Sequence, residues 1–196
     1  GVVLSGRNLG GASLRRSKLV GANLSGCNMS GCGLARADLS NANLSGAVLD
    51  GVFADKVVLK NANLSGAHMI DGSFDKADLS GANCDGLQAS KGTVIASNFS
   101  GASLKKATLQ ELALSICDFS NADLTGASLV ASRLHHAKFD RADLSNVDLS
   151  ETELYHADLS KANIKGTVFR GARYDNATKW PGKPPADAVY VKDPEI

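Results

Sequence analysis

Ala22-Asn23-Leu24-Ser25-Gly26, Cys27-Asn28-Met29-Ser30-Gly31, Cys32-Gly33-Leu34-Ala35-Arg36 and Ala37-Asp38-Leu39-Ser40-Asn41 follow one another without a gap. Each five-residue unit opens on a small residue, sets a large one two positions later and closes on two turn formers. The count holds in both directions. From Leu4 to Tyr174 every fifth residue is apolar, most often Leu. Such a period matches neither an amphipathic helix, which repeats every 3.6 residues or roughly so, nor the simple alternation of a strand. It suits an extended chain that turns a corner every five residues. Residues two apart on extended backbone face the same way, so the small and large sites point inward together and the residue between them points out. The closing pair, Ser-Gly, Ser-Asn or two charged residues, has turn composition.

These units resemble the pentapeptide-repeat family, whose consensus is A-(D/N)-L-x-x. Ala22 to Gly26, Ala37 to Asn41, Ala122-Asp123-Leu124-Thr125-Gly126 and Ala142-Asp143-Leu144-Ser145-Asn146 match it directly, and the resemblance covers residues 2–176. It implies an all-β fold, a right-handed quadrilateral parallel β-helix with four pentads per coil.

A twenty-residue coil predicts that residues twenty apart stack, and the sequence sorts accordingly. Phe99, Phe119 and Phe139 fall in one inward column. Asn23, Asn43, Asn63 and Asn83 form an outward one, continued by Ser103, Asp123, Asp143 and Asn163; Gly6, Gly26, Gly46, Gly66 and Gly86 make a third, and Ser5, Ser25, Ser45 and Ser65 a fourth. At strand spacing this gives a rod of about nine coils on the order of 40 Å long. Interior volume is conserved where the pattern departs from rule: Leu87 and Val52 enlarge the small site while Ala89 and Ala54 shrink the large one, and Leu112 lies one coil from Gly92. Between Val48 and Leu59, Phe53 and Val58 point outward unless a bulge turns Phe53 in.

The repeat defines one elongated domain over residues 1–176, with residues 177–196 as a C-terminal cap and extended tail. Trp180 is the only Trp and is expected over the last coil, followed by Pro181, Pro184 and Pro185. Thr178-Lys179-Trp180-Pro181 resembles the Thr-x-aromatic-Pro termination of cyanobacterial and plastid members. No equivalent cap precedes Val2, so an open edge is expected there. Either another segment covers it, or a second chain does, giving a monomer or an end-to-end dimer through the N-terminal coil.

Charge is nearly balanced, 21 basic against 20 acidic residues, so no long-range field steers the chain onto nucleic acid or an anionic membrane. No apolar run is long enough for a spanning helix, which excludes membrane insertion of that kind. No phosphate loop, serine elbow or zinc signature occurs, and so regular a register leaves no loops to close a catalytic pocket. Catalytic, cofactor and metal sites are therefore expected to be absent, and the protein is not expected to be an enzyme.

Three features remain as candidates. Cys27, Cys32 and Cys117 occupy small inward sites and Cys84 a large one, which reads as core filling; Cys27 and Cys32 lie on adjacent faces of one coil, and a redox-responsive disulfide between them is the alternative. Arg16, Arg36, Lys56 and Lys76 form one corner column, suited to a polyanion or an acidic partner strand, although Asp55 and Asp75 in the adjoining column and Asp38 and Asp78 nearby are expected to balance it. His136 and His156 stack farther along that column, beside His135 and Tyr155, and read as a solvated surface in preference to a metal site. The Asn-x-Ser matches at Asn23, Asn28, Asn43, Asn63 and Asn98 follow from the repeat itself and read as wall ladders, not glycosylation sites.

The expected function is a non-enzymatic β-helical scaffold or protein-interaction module with a protein partner. The alternatives are a redox-responsive lumenal protein using Cys27 and Cys32, and a gyrase-binding DNA mimic of the kind the family resemblance implies. Neutral charge and the basic column count against the mimic. The resemblance further implies a chloroplast thylakoid lumen location, with cyanobacterial cytoplasm or periplasm as the alternative.

Overall fold

Twenty residues separate nearly every stacked pair. In the computed structural model, which describes residues 1–192 and 194, Asn23 bridges Asn43, Asn43 bridges Asn63 and Asn63 bridges Asn83, all in parallel. The same offset runs through all four pentads of the repeat, from Val3↔Asn23 to Glu153↔Arg173. Pairing broadens into strands at a few places. β1 (His68–Ile70), β2 (Gln88–Ser90) and β3 (Thr108–Gln110) stack in the register His68↔Gln88↔Thr108, and β4 (Arg173–Tyr174) pairs with β5 (Val189–Tyr190). The described residues form no helix long and apolar enough to cross a membrane. The chain is an all-β parallel solenoid.

Backbone bonding explains why a pentad is the unit. Each corner closes on itself, as Ala37 N donates to Leu34 O at 2.9 Å, while Gly26 N reaches Ser45 O of the next coil at 2.9 Å. The strand residues pair on both sides: Asn43 N donates to Ala22 O at 2.9 Å and Leu44 N to Asn63 O at 2.7 Å. The Asp or Asn of the consensus caps its own corner. Asn23 Oδ1 accepts from Ser25 N at 3.2 Å and Asp38 Oδ1 from Ser40 N at 3.0 Å, so the side chain satisfies an amide that the turn would leave unpaired. This bond is the physical content of the Asn-x-Ser matches. The second corner residue takes a left-handed conformation, suited to the Gly and Asn found there but adopted also by Arg16, Arg36, Lys56 and Lys76 at φ 57°, 61°, 58° and 59°.

Inside, the small and large sites form one continuous buried core. Phe99, Phe119 and Phe139 stack at centroid distances of 4.9 and 5.1 Å, the coil spacing itself. Val52 and Ala54 are both buried, as are Leu87 and Ala89. Gly92 faces Gly72 so closely that a Cβ on Gly92 would lie 2.4 Å from Gly72 O, and that pair makes room for Val52 on one side and Leu112 on the other. Phe53 does not turn inward. Gly33↔Phe53↔Ser73 keep the twenty-residue offset, no bulge forms, and the ring stands 66% exposed.

The count slips by one residue after Tyr174. Asp158 pairs with Lys179 instead of position 178, because Tyr174 to Lys179 spans a hexad. Thr178 thereby takes the small inward site and Trp180 the large one. Trp180 packs edge-on against Phe169 and Tyr174, at 5.2 and 5.4 Å. The tail after the prolines does not simply run on extended. Val189 N and Val191 N donate to Ala172 O and Tyr174 O at 2.7 and 2.8 Å, laying β5 along the last coil's edge. At the opposite end Leu4, Leu9, Leu14 and Leu19 are only half-buried, each with a coil on one side.

Candidate interaction surfaces

The basic column forms as its spacing predicts. Arg16 N, Arg36 N, Lys56 N and Lys76 N bond to the corner carbonyls of Ala35, Asp55, Asp75 and Ile95 at 2.8–3.0 Å, which fixes the four side chains at successive coils. All four are exposed. The neighbouring carboxylates make no ion pair with these cations and hydrogen-bond elsewhere. Asp50 and Asp75 accept from Ile70 N and Ile95 N of the next coil at 2.9 and 2.8 Å, and Asp55 accepts from Ser73 Oγ. Asp38 is engaged by Ser40, whose hydroxyl holds its carboxyl below the usual value. Every ion pair among the described residues lies at residue 105 or beyond, so the four cations have no acidic partner. Beside the column, the Arg15 stem lies over Gly33, and Phe53 projects from the next coil of that face.

His136 and His156 continue the same corner but are separated from Lys76 by Ala96 and Ile116. Their rings lie 4.6 Å apart, tilted by 55°, and His156 Nε2 lies 3.0 Å from Asp175 Oδ2. Next to them His135 Nε2 meets Glu153 Oε2 at 2.7 Å, Glu153 also holds Arg173, and the buried Tyr155 packs against His135 at 5.2 Å. Burial pushes the Tyr155 hydroxyl up. Asp175, buried and invisible as a candidate in the sequence, is the keystone of the hexad. Its Oδ1 accepts from His156 N, Ala177 N, Thr178 N and Thr178 Oγ1. Burial raises the Asp175 carboxyl, and those donors with the His156 charge outweigh it, leaving its pKa low. Its signal in the sequence is the break in the five-residue count after Tyr174.

An open cleft of about 380 Å³ lies on the adjoining face, lined by His136, His156, Lys138, Asp140, Asp158 and Lys179 among others. Its charges are largely spent on one another: Lys179 Nζ meets Asp158 Oδ2 at 3.0 Å and Lys161 Nζ meets Asp140 Oδ1 at 2.9 Å. The described residues contain no cluster of His, Cys, Asp and Glu able to hold a metal ion.

All four cysteines are buried free thiols, and the Cys27–Cys32 disulfide is not formed. The two sulfurs have separate partners: Cys27 Sγ donates to Leu4 O at 2.9 Å and Cys32 Sγ to Leu9 O at 2.8 Å. Burial pushes the Cys84 and Cys117 thiols up to about 12 and raises Cys32, which disfavours the reactive thiolate.

The sequence profile of the family described as pentapeptide repeats matches in eight copies, over residues 1–34, 32–52, 58–91, 117–154 and 127–171. No curated protein matches by sequence. Among solved structures, trypsin-treated QnrB1, a plasmid-mediated fluoroquinolone resistance protein, is similar with a TM-score of 0.66 and 21% identity over 91% of this chain and 86% of its own. HetL, a pentapeptide repeat protein involved in heterocyst differentiation regulation in the cyanobacterium Nostoc sp. strain PCC 7120, is similar with a TM-score of 0.55 and 24% identity over 93% of this chain and 84% of its own. A pentapeptide repeat protein of the Arabidopsis thaliana thylakoid lumen shares 17% identity over 76% of this chain and 68% of its own, with a TM-score of 0.28 that bears no argument.

Proposed function

This chain belongs to the pentapeptide-repeat family, and from that premise we propose that it is a non-enzymatic scaffold or protein-interaction module. We read the solenoid as a right-handed, four-sided rod of about nine coils, residues 1–176, closed by residues 177–196. The observation that supports the reading is how the outward polar groups are used. Asn and Asp of the walls cap corners, acids of the corner columns hold the next coil, and the cleft residues pair among themselves. Arg16, Arg36, Lys56 and Lys76 take part in none of these pairings and line up, exposed and rigidly spaced, on one corner of four successive coils. A surface that the fold does not consume is available to a partner.

A gyrase-binding DNA mimic needs a dense negative surface, whereas the net charge here is +1 and the unpaired column is positive. Similarity to QnrB1 at 21% identity supports the fold alone. Nor does a redox role for Cys27 and Cys32 enter this reading, because both thiols already serve as hydrogen-bond donors. We infer a thylakoid-lumen location, with a cyanobacterial compartment as the alternative, and either a monomer or an end-to-end dimer through the first coil. No nucleic acid or membrane partner belongs to this proposal. Affinity capture of the intact protein from its native compartment, followed by light scattering of the purified complex, tests it. Stoichiometric co-purification of one protein is expected. Inhibition or protection of gyrase supercoiling would overturn it.

A further inference from the structure

Holding four like charges in a row at neighbouring coils is costly, and here the cost is doubled. The four residues repel one another, and each adopts a left-handed backbone that Gly or Asn adopts with less strain. Other corners of the same coils use such residues, as at Gly21, Gly26, Gly31 and Asn41. Folding gives no return for Arg or Lys here, since none has an acidic partner among the described residues. Two positions before the corner pair of its pentad stands Phe53, 66% exposed, between Gly33 and Ser73 of the neighbouring coils. The ring is an exposed knob, with small Ser73 on one side and the Arg15 stem lying over Gly33 on the other.

Deepening the interaction-module reading, on which it rests, we propose that this corner docks an acidic, amphipathic α-helix of a partner protein, lying along the rod. Carboxylates of the helix meet Arg16, Arg36, Lys56 and Lys76, and apolar residues of its adjoining face pack on Phe53 and the Arg15 stem.

Spacing selects the helix. Four cations at the strand spacing span about 14 Å. Acidic residues one turn apart on a helix span about 16 Å over the same four rows, a mismatch that flexible Arg and Lys stems absorb. Same-face residues of an extended strand span about 20 Å and fall out of step before the fourth row. A helix is about 10–12 Å wide, enough to cover the corner and Phe53 together. Charge selects a single helix over a broad polyanion. Asp55 and Asp75, one residue before Lys56 and Lys76, flank the column on one side and disfavour a broad polyanion, whereas a single row of carboxylates can keep to the cations.

The test is fluorescence anisotropy with a labelled synthetic helical peptide carrying Glu at every turn and Leu on the adjoining face. It is run beside a peptide with Gln for every Glu, and beside heparin and duplex DNA. Binding that weakens at least tenfold on raising salt and is lost with the Gln peptide is expected. The quadruple variant Arg16→Asn, Arg36→Asn, Lys56→Asn, Lys76→Asn should reduce affinity at least tenfold without lowering the melting temperature, because Asn tolerates the left-handed corner. Phe53→Ser should weaken binding severalfold without changing its salt dependence. The Gln peptide keeps the test decisive even where a variant folds poorly, because it leaves the protein unaltered. Equal binding of both peptides, no binding of the acidic one, unchanged affinity in the variants, or tighter binding of heparin or DNA each overturns the proposal. Capture of the same native partner by the quadruple variant would sink this surface while leaving the interaction-module reading standing.

Discussion

Cys117 Sγ donates to Val94 O at 2.9 Å, twenty-three residues back and one coil away. The same offset joins Cys27 to Leu4 and Cys32 to Leu9, and it recurs with hydroxyls: Ser97 Oγ to Phe74 O at 2.8 Å, Ser132 Oγ to Leu109 O at 2.7 Å and Thr167 Oγ1 to Leu144 O at 2.7 Å. A small inward residue with a donor therefore ties its coil to a corner carbonyl of the preceding one. Three of the four cysteines are there as hydrogen-bonding core residues.

Cys117→Ser should accordingly leave the melting temperature close to wild type, while Cys117→Val, which removes the donor at similar volume, should destabilise by about 1 kcal/mol. Titration with a thiol reagent should find four free thiols in denaturant, with Cys84 and Cys117 unreactive in the native protein, their pKa near 12 leaving almost no thiolate at neutral pH. Mass spectrometry showing two hydrogens lost between Cys27 and Cys32 would contradict it.

Gly92→Ala places a methyl 2.4 Å from Gly72 O, backbone that cannot swing aside. A loss of about 1–3 kcal/mol is expected from this overpacking. Gly26→Ala meets nothing within 4 Å, yet its φ of 61° makes it cost about 1 kcal/mol through the left-handed backbone alone. Thermal melts of the two variants separate contact from conformation; equal losses would refute the packing account.

Ile116 carries a β-branched side chain at φ 65° and is 55% exposed. Replacing it by Gly or Asn relieves strain of about 1 kcal/mol and forfeits little packing. A higher melting temperature is expected for Ile116→Asn, and a lower one would show that the exposed side chain is held by contacts that outweigh the strain.

Acid should weaken the C-terminal end of the rod. Burial raises the Asp175 carboxyl, but the His156 and Thr178 donors and the His156 charge bring it below its ordinary value; the Ser160 hydroxyl lowers Asp158 against its own burial and with help from Lys179. A carboxylate whose folded pKa lies below the unfolded one stabilises fully above the unfolded value, about 3.9, and loses that contribution as pH falls through the folded value. The contribution of these two groups should be level above about pH 5 and fade below about pH 4. The protection factors of the Thr178 and Lys179 amides, taken relative to the intrinsic exchange rate at each pH, should fall on acidification before those of the central coils do. Asp175→Ala should reproduce the loss at neutral pH, at about 2 kcal/mol.

Much of this was legible in the residues. The inward columns, the Phe99 to Phe139 stack, the Val52/Ala54 and Leu87/Ala89 exchanges and the outward Phe53 all follow from period and volume, which are local. Pairing among polar groups was not. Asp55 and Asp75 stand beside the cations in sequence, and which donors their oxygens bond, Ser73 Oγ and Ile95 N, is set by the coil that stacks on them. Column position says which groups are near, and a carboxylate near several donors chooses by geometry.

From the sequence alone came the parallel solenoid, its twenty-residue coil and its pentapeptide-repeat family, because a repeat writes the same short-range instruction many times and one reading error does not propagate. Only the tertiary structure decided which thiols, acids and imidazoles pair, and that the Asp175 hexad sets Trp180 into the core. Those outcomes depend on donors and acceptors brought together from different coils, at distances no periodicity encodes.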